Sequence, residues 1–240
     1  MLKNYRIITI IPSYNEQGKT VKVVEKMPLN IVDEVLVIND GSSDNTRQEI
    51  EKTGKATIIQ NEKQMGIGFA IRRGLEYALK KNYDIIVVMA GNGKDNPSEI
   101  PRLVKPIVEQ DYDYVQGSRY LKGGEYGKMP LHRTIVTRVY PFLVRLLYAK
   151  KITDGTNGFR AYKASILKDK RINLHQEWLR ECLEYYLSIK VIQLKYKITE
   201  APVSKLYPQG LKYKQYSKVK PSRFIKRLKP LFFLRFGIKK

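Results

Sequence analysis

Asn92, Lys94 and Asp95 crowd the polar end of the apolar run VVMAGNGKDNP, residues 87–97. An amide and a carboxylate oxygen can together hold a hard cation such as Mg²⁺ or Mn²⁺. A lysine beside them can meet a phosphate as a point charge. The competing reading caps a helix opening near Pro97 with Asp95 and leaves Lys94 in solvent. INDGSSDNT, residues 38–46, places Asp40 and Ser42 where a strand ends. There a carboxylate can accept hydrogen bonds from a ligand's base or ribose, while Ser43 or Asp44 suits a helix N-cap. Arg119 in GSRY, with Arg133 and Arg138 in LHRTIVTR, forms a third group. Guanidinium groups make paired bonds to phosphate oxygens, although most surface arginines are simply solvated. Asp154 in TDGTNGFR is either a turn residue or a carboxylate on the same side as these arginines.

These residues need elements to carry them. RIITIIPSYNE, EVLVIND, KATIIQN, DIIVVMA and DYVQGSR read as short buried strands, the first cut at Pro12. Helical spacing separates them in VKVVEKM, GFAIRRGLEYALKKN and PSEIPRLVKPIVEQ. Strands alternating with helices imply βαβ units, an α/β fold and a mainly parallel sheet flanked by helices. Ligands then sit at the carboxyl ends of the strands, which is where the residues above fall. After Arg119 the pattern changes. TIVTRVYPFLVRLLYAKK predicts a helix kinked at Pro141, TDGTNGFRAYK a turn and strand, QEWLRECLEYYLSIKVIQL a long helix and YKITEAPVSKLYP a further strand. One domain over residues 1–208 with a basic tail over 209–240 is the simplest division.

The chain has 240 residues, with 45 Lys plus Arg against 23 Asp plus Glu, a net charge of +22. Such a field attracts polyanions: nucleic acid, anionic lipid or phosphorylated substrates. Cys182 is the only cysteine, so an internal disulfide and a cysteine-based zinc site are excluded, which suits a reducing compartment. His132 and His175 read as structural. No leader is visible, and no apolar run reaches the roughly 20 residues that cross a bilayer. The tail mixes cations with Phe, Leu and Ile, as an interfacial segment does.

IIPSYNE, INDGSSDNT and VVMAGNGKDNP, in that order, resemble the family 2 glycosyltransferases of GT-A, Rossmann-like fold. GSRYLKGG, LHRTIVTR, DGTNGFRAYK and KITEAPV sharpen the likeness to dolichyl-phosphate mannosyltransferases and related polyprenyl-phosphate glycosyltransferases. The likeness spans roughly residues 5–208. It implies a nucleotide-sugar donor held by Pro12, Tyr14, Glu16, Asn39, Asp40 and Ser42, with Arg72 and Asn92 nearby. It implies an acceptor phosphate or glycan met by Arg119, Arg133, Arg138 and Asp154, and inversion at the anomeric carbon. The family's acidic, metal-holding pair falls on Ala90 and Asn92, and a further amide ligand falls on Lys94. Lys94, Asp95 and Arg119 are therefore the expected catalytic groups. Either Asn92 and Asp95 hold Mg²⁺ or Mn²⁺, or Lys94 makes the metal dispensable. A sugar-hydroxyl acceptor would need a carboxylate base; Glu177, Glu181 and Glu184 offer no convincing match. The pathway implies a cytoplasmic protein resting on the inner face of a membrane. The rival readings are a non-catalytic nucleotide-sugar binder and a nucleic-acid-binding protein, the latter disfavoured by the ordered motifs.

Overall fold

The computed structural model describes residues 4–127, 129, 131–207 and 221–239. Five strand–helix repeats open the chain: β1 (Ile7–Ser13), α1 (Thr20–Glu25), β2 (Glu34–Asn39), α2 (Thr46–Glu51), β3 (Thr57–Gln60), α3 (Ile67–Lys80), β4 (Ile85–Val88), α4 (Ile100–Gln110) and β5 (Tyr114–Ser118), followed by α5 (Leu131–Tyr148). Then come β6 (Arg160–Lys163), α6 (Leu183–Gln193), β7 (Ile198–Pro202) and α7 (Pro221–Arg235). The strands form one seven-stranded sheet in the order β3-β2-β1-β4-β6-β5-β7. All neighbours are parallel except β6, which runs antiparallel between β4 and β5.

The apolar runs explain this layering. Alternate residues of each strand point to opposite faces. Ile8, Ile10, Leu36, Ile38, Ile86 and Val88 join the core under α3, α5, α6 and α7. Ile7, Ile11, Val35, Val37, Ile85 and Val87 join the core on the α4 side. Both faces are covered, as a largely parallel sheet requires.

Three expectations need correction. Pro12 does not cut β1; the strand runs through it to Ser13. The Ile10 carbonyl accepts from Met89 N–H, so the next residue pointing that way is Pro12, where β4 has already ended. Its missing donor costs no ladder bond. The long helix over 176–194 is broken at Cys182 into a 3₁₀ turn, Glu177–Glu181, and α6. That turn brings the Leu179 and Arg180 carbonyls against the start of α3. A Cβ at Gly68 would lie 2.2 Å from the Leu179 oxygen, so only glycine fits there. Finally, α7 is no loose tail. Leu231 and Leu234 are buried, the Tyr148 hydroxyl donates to the Leu231 carbonyl at 2.7 Å, and the Gln193 amide donates to the Leu234 carbonyl at 3.2 Å. Residues 209–220 of the expected tail lie outside the described residues. Pro141 lies inside α5, which is a single helix from Leu131 to Tyr148.

Candidate active site

The register brings the carboxyl ends of the first strands level: Ser13 pairs with Asn39 and Asn39 with Gln60. The loops that follow are stitched together. Asn15 N–H donates to Ser42 Oγ and Ser43 N–H to Asn15 Oδ1, both at 2.9 Å. Glu16 N–H donates to Thr46 Oγ1 at 2.9 Å. The motifs PSYNE and DGSSDNT are thus one structural unit. Asp44 Oδ1 accepts from Thr46 N–H at 3.1 Å, securing the start of α2.

Asp40 organises the next loop. Its Oδ1 accepts from the Asn61 side-chain amide (2.7 Å) and Met65 N–H (2.9 Å), and its Oδ2 from Gly66 N–H (2.8 Å). Gly41 must be glycine: its φ is +73° and a Cβ would fall 2.5 Å from the Lys63 carbonyl carbon. Asn39 is fully buried, and its Oδ1 accepts from both the Ser42 N–H and the Ser42 hydroxyl. Its amide nitrogen has no hydrogen-bond partner among the described residues.

A cleft of about 490 Å³ opens above these tips. Pro12, Tyr14, Glu16, Asp40 and Asn92 line it, together with Ala90 and Gly91. Asn39 and Ser42 stand behind the lining. Arg72 lies elsewhere: it is 3.5 Å from Glu76, stacks on Phe69 and lines a separate depression with His175 and Gln176. His175 is exposed, 3.5 Å from Glu76; the His132 side chain lies outside the described residues. Trp178 packs edge-on to Tyr186 and also lines the cleft.

At the β4 tip the surprise is Lys205. Its Nζ lies 2.6 Å from Asp95 Oδ1 in a fully buried ion pair and 3.3 Å from Asn157 Oδ1. The other Asp95 oxygen accepts from Ala90 N–H at 3.3 Å. Asp95 is therefore not a helix cap; Asn96 is, accepting from Ser98 N–H at 3.2 Å. Nor is Asp95 an open metal ligand. Hard divalent ions ask for several oxygen donors with enough negative charge. Here the one carboxylate is already neutralised, Ala90 offers no side-chain donor, and Asn92 offers one neutral oxygen. Among the described residues, no group of three His, Cys, Asp or Glu side chains could hold a metal. The residues at this tip do not fit a resident Mg²⁺ or Mn²⁺.

Lys94 is buried beside this pair. Its Nζ sits 4.9 Å from the Tyr207 ring centre, and Arg133 stacks on the same ring at 5.7 Å. Burial, then Arg133, then Lys205 push the Lys94 ammonium down to about 7, against the pull of Glu16 and Asp95. Burial also lowers Lys205, with Asp95 opposing.

Arg119 is committed to a different task. Its guanidinium grips Asp154 through two bonds of 2.6 and 2.8 Å and donates to Thr156 Oγ1 at 2.6 Å. Both partners of the ion pair are buried. Burial favours the neutral form, but Asp154 more than offsets it and holds Arg119 above its ordinary range. Glu200 anchors the same turn, accepting from Thr153 and Asp154 N–H at 2.7 and 2.9 Å. Arg119 and Asp154 thus bind each other, buried, and fix the loop. Arg133 and Arg138 lie on α5; Arg138 stacks on Tyr120 at 5.4 Å and is exposed.

Lys205, Tyr207 and the cations at the far side of the cleft were not anticipated. Lys205 follows β7 at a strand's carboxyl end, the signal that exposed the other site residues, but its partner is 110 residues away.

The sequence profile described as Glycosyl transferase family 2 matches residues 8–170. A UDP-N-acetylglucosamine–dolichyl-phosphate N-acetylglucosaminyltransferase of Methanococcus voltae is 29% identical over 219 residues, 85% of this chain and 86% of that protein. A polyprenol monophosphomannose synthase of Mycolicibacterium smegmatis is 27% identical over 206 residues, covering 83% and 77%. Among solved structures, glucosyl-3-phosphoglycerate synthase of Mycobacterium tuberculosis bound to UDP superposes with a TM-score of 0.72 at 19% identity, covering 99% of this chain and 82% of that one. That likeness shows the GT-A fold. Another structure of the same synthase holds Mn²⁺, UDP and phosphoglyceric acid.

Asp40 supports a test of this geometry. Asp40→Ala leaves three donors without their charged acceptor, so it should cost about 3 kcal/mol of stability as well as nucleotide affinity. Urea unfolding measures the first. A change below about 0.5 kcal/mol, the usual range of surface substitutions, would mean the carboxylate is not holding the loop.

Proposed function

This chain belongs to glycosyl transferase family 2 and is a glycosyltransferase, and we propose that it moves a sugar from a nucleoside diphosphate sugar to the phosphate of a polyprenyl carrier. The observation that carries the reading is the pairing of a strand-tip cleft with a cation cluster next to it. The cleft accepts the donor, its base and ribose near Pro12, Tyr14 and Asp40, and its diphosphate reaching toward Asn92. Arg133 and Arg138 clamp the acceptor phosphate, with Lys94 between the two sites. The relatives named for transfer to dolichyl phosphate and polyprenol support this acceptor.

The chemistry is a single displacement. A phosphate oxygen of the acceptor is already anionic and attacks the anomeric carbon without a strong base. The bond from that carbon to the donor's diphosphate oxygen breaks on the opposite face, so configuration inverts. Negative charge builds on the departing diphosphate and must be met by preorganised positive charge. Lys94 supplies it, poised by its buried, cation-crowded setting to take up a proton as the phosphate arrives. Arg119 and Asp154 act as positioning residues.

Contact with a membrane surface belongs to the same proposal. Leu131, Ile135, Val139, Phe142 and Leu146 repeat at helical spacing along α5 and are 41–76% exposed. Exposed Arg138 and Arg145 flank this stripe, as suits an interfacial helix on anionic lipid. Among the described residues no helix is long and apolar enough to cross a membrane.

Two experiments follow. Transfer to polyprenyl phosphate from a panel of nucleotide sugars should persist in excess EDTA, and Lys94→Ala should lower turnover by roughly a hundredfold or more. Loss of wild-type activity in EDTA, with Lys94→Ala active in Mn²⁺, would refute the role given to the lysine. Separately, Phe142→Asp combined with Leu146→Asp should cut co-sedimentation with phosphatidylglycerol vesicles several-fold. Undiminished sedimentation would remove this face of α5 from the account.

A further inference from the structure

The cations that line the cleft come from the end of the chain. Arg180, Lys226, Arg227 and Lys229 all line it, and all lie beyond residue 170, where the family match stops. They face the strand tips across the cleft from Tyr14, Glu16, Asp40 and Asn92.

This wall is built in. Leu231 and Leu234 anchor α7 in the core, and the bonds from Tyr148 and Gln193 to its carbonyls set where its first turns stand. Arg227 stacks on Tyr185 at 5.7 Å, and Tyr185, then Glu184, hold its charge in place despite burial. Arg180 Nε donates to the Met65 carbonyl at 2.5 Å, tying the wall to the loop that Asp40 organises. Lys226 is 3.6 Å from Glu181. The carboxylates of the lining are engaged within the protein: Glu16 with Lys19 at 2.7 Å, Asp40 with its three donors, Glu181 with Lys226. The cleft therefore has a neutral tip at Ala90, Gly91 and Asn92 and a cationic wall opposite.

We propose that α7, through Lys226, Arg227 and Lys229 together with Arg180, forms the binding site for the donor's diphosphate. By composition alone the same segment resembles an interfacial tail. The proposal rests on the reading of the cleft as the donor site. It divides the work of the missing acidic pair and its metal: the wall holds the diphosphate in ground and transition state alike, while Lys94 meets the charge that develops on departure. Uniform binding of this kind appears in KM, not in kcat.

The test uses the full chain with UDP, GDP and their nucleosides as probes, read by calorimetry, with circular dichroism confirming that each variant folds. Lys226→Ala and Lys229→Ala should each weaken diphosphate binding about tenfold, the effect of one lost charged contact. Nucleoside binding should not change. With the active donor, each variant should raise KM and keep kcat, whereas Lys94→Ala lowers kcat. Arg235→Ala, on the same helix but away from the cleft, should change nothing. Diphosphate affinity equal to wild type in both lysine variants would overturn the proposal, as would an equal loss in Arg235→Ala. A wild-type chain that binds neither diphosphate would overturn the donor-site reading and this proposal with it.

Discussion

The buried ion pair between Asp95 and Lys205 constrains how this site can work. A carboxylate at the tip of β4 is the group that would hold a divalent ion beside a nucleotide sugar. Here both of its oxygens are used inside the protein, one by Lys205 and one by the Ala90 N–H. Removing either partner would leave an unpaired charge in a low-dielectric setting, which is costly. The pair also joins the loop after β4 to the segment after β7, which pins the Leu206 N–H to the Lys94 carbonyl at 2.8 Å. Lys94 and Tyr207 are thereby held next to each other. The interaction that occupies Asp95 also holds Lys94 beside it.

Charge placement elsewhere follows the same logic. Arg119 and Asp154 neutralise each other and stiffen a loop, so this arginine adds no free charge to the acceptor side. Arg133 lies on the inner side of α5 against Tyr207, while exposed Arg138 borders the helix's apolar stripe. One helix can therefore rest on a lipid surface and reach the phosphate of a lipid carrier. α7 packs against α5 and α6 and closes the far side of the cleft. The C-terminal helix, by composition only part of a basic tail, thus lines the cleft that the strand tips begin.

Much of this was legible in the sequence because it is local. Apolar runs bounded by turn residues gave the strands, and the carboxyl-end rule pointed to Asp40, Asn92 and Lys94. The misreadings are non-local. Pro12 looks like a strand breaker unless it is known that β4 ends beside it. Asp95 and Asn96 are equally good caps by type, and Lys205 decides between them from 110 residues away. Arg119 and Arg133 are indistinguishable by residue type; burial against Asp154 separates them. The break at Cys182 answers to the close approach of Gly68, which helical periodicity does not encode. Of the expected donor residues, Arg72 rested on the family resemblance alone, and α3 turns it toward Glu76, where it lines a separate depression.

The central claim is that a lysine, not a metal, meets the donor's diphosphate. Lys94 has an ammonium pushed down to about 7 by burial, Arg133 and Lys205, so it is mostly neutral at pH 8 and mostly charged at pH 6. A bound diphosphate restores the charge and must raise that value, so binding takes up a proton above pH 7 and little below it. The direct measurement is calorimetry of nucleoside diphosphate sugar binding in EDTA, in buffers of different ionisation enthalpy, at pH 6 and pH 8. The account predicts metal-free binding with uptake close to one proton at pH 8, near zero at pH 6, and absent at both in Lys94→Met. Binding that requires Mn²⁺, or proton uptake at pH 8 that is unchanged in Lys94→Met, would contradict it.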